Sequence, residues 1–252
     1  KEGQRILVIS GPNAGGKSIT LKTVGLLQLM IQSAVLVPAN ARSTFGWFAN
    51  VMADIGDAQS IENELSTYSS KLGKMTHILE HANPKSLVLI DEFGSGSDPE
   101  LGSALAQVFL EEIAKYGAFA VLTTHYNAIK ALADSLPDVV NGSMEFNSNT
   151  FSPEYILNTG TPGSSYTFEV AKRVGIHHHL INRARQKLDK RTVAVDKLLV
   201  AVQTEKNTLT AAREELHEKL EELNKLKNKH TGRIKQLEDK IAKMLASTQN
   251  QA

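Results

Sequence analysis

One stretch constrains this chain more than any other: the apolar run "RILVIS" (5–10) leads without a spacer into "GPNAGGKS" (11–18). An apolar run, a glycine loop and then leucines at helical spacing (Leu21, Val24, Leu27 and Ile31) predict a buried strand over 5–10, a tight loop, and a helix over 17–32. The loop spells GxxxxGKS. Its glycines let backbone N–H groups curl round phosphate oxygens while the following helix directs its positive end at them. Gly11, Pro12, Asn13, Ala14, Gly15, Gly16, Lys17 and Ser18 are therefore the expected ATP-binding residues, with Lys17 on the β and γ phosphates and Ser18 on Mg2+. An ordinary glycine turn would not need the lysine, the serine and the strand–loop–helix context together.

Two more strands end in reactive side chains. "SLVLI" (86–90) is a continuous apolar run followed by Asp91 and Glu92, and "AFAVLTTH" (118–125) ends in His125. Asp91 at a buried strand tip is suited to hold Mg2+ with Ser18. Glu92 is placed to polarise the water that attacks the γ-phosphate, and His125 to contact that phosphate. Two acids after a strand can instead cap a helix, but Asp98 before Pro99 serves that need better. Between these strands, 59–82 reads as one or two helices and 99–117 as a helix with proline near its start and glycine at its end. "STFGWFANVMADIG" (43–56) has strand-like aromatic content. Alternating strands and helices predict an α/β fold, a mostly parallel sheet flanked by helices, with its site at the strand C-termini.

Composition narrows the alternatives. With 252 residues and 41% hydrophobic content the chain can bury one α/β core, and its apolar runs are strand-sized, whereas a membrane helix needs roughly 20 apolar residues. No cysteine is present, so disulfides and thiolate zinc sites are excluded and a cytoplasmic setting is expected. The chain opens without methionine, close to a core strand, from which a missing N-terminal portion is expected. Net charge is +1, but residues 1–182 hold 12 basic against 17 acidic side chains and residues 183–252 hold 16 against 10. That division, with proline-free Lys/Glu/Leu composition after 182, predicts two parts: 1–182 as the nucleotide-binding domain and 183–252 as a helical coiled-coil segment. Its d positions, from Leu188 to Met244, are apolar in eight of nine cases, its a positions in four of eight. "NKHTG" (228–232) is expected to turn the segment back as a helical hairpin. Neither "HHH" (177–179) nor His77 with His81 predicts a metal site: consecutive histidines diverge by about 100° each, and the second pair has no third ligand in view.

"GPNAGGKS", "LVLIDEFGSGSD" and "LTTHY" together resemble the ATPase domain of the MutS family, a branch of the ABC-type ATPases, over about residues 3–190. "KSI", "DEFGSGSDPE" and "LSTYSS" are similar to the MutS-II subfamily, and "GTPGSSYTFEVAKRVGI" with "LINRARQKL" is similar to the family's C-terminal helical region. The resemblance implies a homodimer with two ATP molecules between subunits. Ser66 and Thr67 would then match the ABC signature and touch the γ-phosphate bound by the opposite chain; by pattern alone they are a Ser/Thr-rich piece of helix and turn. It also implies arms outside this chain that handle branched or mismatched DNA, and in many members a nuclease-like Smr domain. A ribosome-associated ATPase acting on stalled ribosomes is a second reading. A third, an SMC-like structural ATPase, conflicts with motif order, because there the coil is inserted between the phosphate loop and the acidic pair, whereas here the helical segment follows His125.

Overall fold

The structure, a computed structural model, describes residues 3–12, 15–56, 64–95, 98–147, 152–164, 166–188 and 190–249. Asn13 and Ala14 of the phosphate loop lie outside that set. Strands β1 (Ile6–Ser10), β2 (Asn50–Asp54), β3 (Ser86–Ile90), β4 (Phe119–Thr123), β5 (Val139–Asn147) and β6 (Ser152–Thr159) form one sheet in the order β2-β3-β4-β1-β5-β6. Every neighbouring pair is parallel except β5 and β6. The helices are α1 (Lys17–Gln32), α2 (Glu64–His81), α3 (Pro99–Lys115), α4 (Asn127–Ser135), α5 (Thr167–Arg173), α6 (His178–Lys187) and α7 (Lys190–Gln249).

The central strands are apolar on both sides because helices cover both faces. On one face Ile6, Val8, Val88, Ile90, Ala120 and Leu122 pack with Leu110 and Ile113 of α3 and Ile129 of α4. On the other, Ile9, Leu87, Leu89 and Val121 pack with Leu21 of α1. Burial of this kind, worth roughly 1.5–3 kcal/mol for each large side chain, fixes the order of strands and so the position of every strand tip.

Two expectations are corrected. The aromatic stretch 43–56 is a strand only over Asn50–Asp54. Before it, the backbone bonds to glutamines of α1: Gln28 Nε2 donates to Gly46 O (2.9 Å), Gln32 Nε2 to Phe48 O (3.0 Å), and Phe48 N–H to Gln32 Oε1 (3.1 Å). Main-chain groups satisfied in this way need no sheet partner. The hairpin is also absent: α7 is helical without interruption through 228–232. No proline enforces a stop there, and one interior glycine, Gly232, costs only about 1 kcal/mol against alanine. By its internal contacts the chain forms two compact units, residues 1–200 and 201–252.

Candidate nucleotide site

β4 lies between β3 and β1, so the three motifs occupy the C-terminal ends of three adjacent strands. Register aligns Ile9 with Thr123 and Ile90 with Leu122, which sets the phosphate loop, the acids and His125 around one point. Thr123 joins the acidic pair. Its buried hydroxyl donates to Asp91 Oδ1 (2.5 Å) and accepts from the Glu92 N–H (2.8 Å), while its carbonyl accepts from the Phe93 N–H (2.7 Å). Glu92 itself holds a left-handed φ of 50°, a conformation disfavoured outside glycine, and the Thr123 bonds help to hold it there. The capping alternative for Glu92 fails, because Asp98 Oδ1 accepts from the N–H groups of Glu100 and Leu101 at the start of α3 (3.0 and 3.2 Å).

α1 begins at Lys17 with no acidic residue in its first turn, so the positive end of its dipole is uncompensated from within. Ser18, the next residue, is half-buried. The Lys17 ammonium is buried and donates to Gly11 O (2.8 Å) and Pro12 O (2.9 Å), carbonyls of its own loop. Burial lowers its pKa to about 8, with Asp91 and Glu92 pulling upward and Lys130 pushing further down. His125 is open to solvent on part of its ring. Partial burial, followed by the charges of Lys17 and Lys130, lowers its pKa to about 4 against the pull of Asp91. Its imidazole is therefore neutral at physiological pH, able to donate one hydrogen bond and accept another.

Asn13 and Ala14 lie outside the described residues, as do the side chains of Ser66 and Thr67, whose backbone belongs to the first turn of α2. The strand tips bring Lys17, Asp91, Glu92 and His125 close enough for their charges to act on one another.

Sequence analysis missed three residues at this site. Thr123 stands in "LTTHY" two residues before His125, and nothing in that stretch distinguishes it from Thr124. Lys130 is buried; its ammonium donates to Asn127 Oδ1 (3.1 Å) and to Gly163 O (3.0 Å). Gly163 in turn donates its N–H to Ser10 Oγ (2.8 Å), and a Cβ on it would meet Ser10 O at 2.8 Å, so only glycine lets this segment lie against the end of β1. Tyr155 comes from β6, where a bulge sets Glu154, Tyr155 and Ile156 against the single Glu145 of β5. Its φ is 56°, the residue is 61% exposed, and a Cβ added to Gly16 would meet ring atom Cδ1 at 2.8 Å. An exposed aromatic ring thus stands directly over the phosphate loop. Nothing in its local sequence signals this.

Comparison with known proteins agrees with that geometry. The model of the family described as MutS domain V matches residues 7–192. Among curated relatives, a protein named endonuclease MutS2 from Geobacillus thermodenitrificans (strain NG80-2) is 41% identical over 98% of this chain and 31% of its own length. One of the same name from Clostridium novyi (strain NT) is 39% identical over 100% of this chain and 32% of its own. Another from Listeria innocua is 45% identical over 84% and 27%. The chain spans about a third of the length of the curated relatives it matches. A phosphate loop, an acidic pair and a histidine on three neighbouring strand ends, together with this match over most of its length, show that the chain belongs to the MutS family, through its domain V and on its MutS2 side.

Proposed function

We propose that this chain binds and hydrolyses ATP with Mg2+, and that the nucleotide state controls how two copies associate and thereby drives DNA-handling parts of a longer MutS2-type protein. The observation that carries the reading is the Thr123 bridge, which ties Asp91 and Glu92 at the end of β3 to β4, the strand beside β1 and its loop. The relatives' name, endonuclease, concerns proteins about three times as long, so any cutting activity is assigned to regions beyond these residues.

The phosphates of ATP enter at the N-terminus of α1, where the positive end of the helix attracts them. Lys17 exchanges its two loop carbonyls for phosphate oxygens, a stronger charge-assisted pairing. Tyr155 offers its ring to the adenine. The hard oxygens of Ser18 and Asp91 suit Mg2+, which when bound neutralises charge on the β and γ phosphates. Glu92 accepts a proton from the attacking water, and the neutral His125 donates a hydrogen bond to the γ-phosphate. Ser66 and Thr67 of a second copy complete the site from across an interface, and the bound nucleotide thereby holds the two copies together.

Glu92→Gln tests the mechanism. The amide keeps the size of the carboxylate but cannot take the proton, so turnover should fall by about 10²-fold or more while ATP remains bound. Filter binding with γ-labelled ATP, run beside phosphate release, reads both. Unchanged turnover removes Glu92 as the base.

A further inference from the structure

The last turns of α2 carry side chains that the nucleotide site does not use. His77, Glu80 and His81 are exposed, and their ligating atoms all lie within 4.8 Å of one another, the one such grouping found among the described residues. Spacing accounts for this: residues i, i+3 and i+4 share a helix face. The two histidines alone gave too small a ligand set, but the helix brings Glu80 in beside them. In order, the segment reads His-x-x-Glu-His, a spelling in which a helix presents two imidazoles to zinc around a glutamate.

His81 Nδ1 lies 2.8 Å from the His77 carbonyl oxygen. A carbonyl can only accept, so the neutral His81 ring carries its proton on Nδ1 and leaves the Nε2 lone pair for a metal. This is the arrangement that fixes ring orientation in metal-ligating histidines. The two rings are already neighbours, with centroids 4.1 Å apart.

The scaffold beneath the ligands is firmly held. Ile78, between them, is buried in the core, and the same helix is tied down by Lys74 to Asp54 (2.6 Å) and by Lys71 to Ser95 Oγ (2.9 Å). His77 also borders a shallow groove with Met52, Gly73 and Lys74, beside the edge strand β2.

We propose that His77, Glu80 and His81 bind one divalent transition-metal ion of the zinc class. Two imidazole nitrogens and one carboxylate oxygen are a zinc donor set, and they leave a fourth position open to water. Mg2+, which demands an octahedron of oxygens, is not the ion that this set selects. The open face gives Glu80 no dry pocket in which to act as a base, so this is a binding site and not a protease centre. Bound metal clamps the end of α2 and raises the stability of the folded chain, because only the folded helix gathers the three ligands.

The test uses the full chain, stripped with chelator, in a parent carrying His177→Ala, His178→Ala and His179→Ala so that the neighbouring histidine run cannot contribute. Titration calorimetry with zinc chloride should show one equivalent at this site, and the same protein should take up no comparable equivalent of magnesium. His77→Ala and His81→Ala should each weaken zinc binding by at least ~10-fold, since even the loss of an outer-shell partner costs that much. Glu80→Gln should weaken it too. With Cu2+ as the probe, the electron paramagnetic resonance spectrum should show coupling to two nitrogens in the parent and to one in His81→Ala. All three side chains are exposed, so thermal midpoints without metal should match the parent. Zinc uptake unchanged in the His77→Ala, His81→Ala double variant, or zinc taken up no better than magnesium, overturns the proposal.

Discussion

At Lys17, burial and the acids that follow β3 pull in opposite directions, and burial prevails, leaving a pKa of about 8 against the ordinary 10.5. Between those values the unfolded chain binds more protons than the folded one, so this lysine contributes a rise in stability as pH climbs from about 8 to 10.5. Phosphate needs the ammonium form. ATP affinity should therefore fall as pH passes about 8, with proton uptake on binding at pH 9 that calorimetry in two buffers would detect. Lys17→Arg should remove that uptake, and affinity that stays flat up to pH 9.5 would sink the assignment. His125 has the same sign at lower pH: its folded value of about 4 lies below the ordinary 6.5, so stability is undiminished above 6.5 and falls as the pH drops towards 4. In His125→Asn this part of the slope should vanish from urea midpoints measured at pH 7 and 4.5. Thr123→Val keeps the shape but strands Asp91 Oδ1 and the Glu92 N–H; a loss of about 1–3 kcal/mol in unfolding free energy is expected, with slower hydrolysis. Thr123→Ser should restore both, and a Val variant of full activity would deny the bridge its role.

Elements differ in how plainly their sequences announce them. The stretches 17–32 and 86–90 form an element over their full predicted span because each signal is local: leucines at helical spacing after a glycine loop, and an unbroken apolar run. α3 shows its proline and its Asp98 cap in the same way. β5 does not, because Asn141 and Ser143 are buried polar residues where alternation would place polar groups outward. Asn141 is held by partners outside its strand: its Nδ2 donates to Lys130 O and to Asp134 Oδ1 (both 2.7 Å), and the neighbouring Gly142 O accepts from Ser10 Oγ (3.3 Å). The β6 bulge is just as silent in sequence, yet it alone turns Tyr155 towards Gly16. Should that ring carry the base, Tyr155→Ala will weaken ATP binding by about 5- to 150-fold, the equivalent of the ~1–3 kcal/mol typical of base stacking, and leave inorganic tripolyphosphate binding unchanged. Equal losses for both ligands would mean that the ring only supports the loop.

Over the whole molecule, the residues assigned to the candidate nucleotide site fall between Gly11 and Gly163, within the unit of residues 1–200. Removing 201–252 should leave ATP affinity within about threefold, below roughly 0.7 kcal/mol, by equilibrium dialysis. A larger loss would make that unit part of the nucleotide site. On α7, Leu209, Leu216 and Leu223 are each about 60% exposed. If two copies share the nucleotide, ATP-loaded Glu92→Gln should elute as a dimer and the ADP-loaded protein less so, because a ligand favours whichever state binds it better. A slow but monomeric variant would keep the catalytic claim and discard the shared site. The sequence by itself determined where the glycine loop, the acidic pair and the histidine fall and the alternating α/β plan, since each is written in consecutive residues whose spacing dictates local geometry. Only the tertiary structure decided that β4 lies between the other two tips, that Thr123 joins the acids, that Lys130 and Gly163 close in behind the loop, and that Tyr155 overhangs it. Those facts depend on strand order and on burial from both faces, which are properties of segments far apart in the chain and leave no mark on either segment alone.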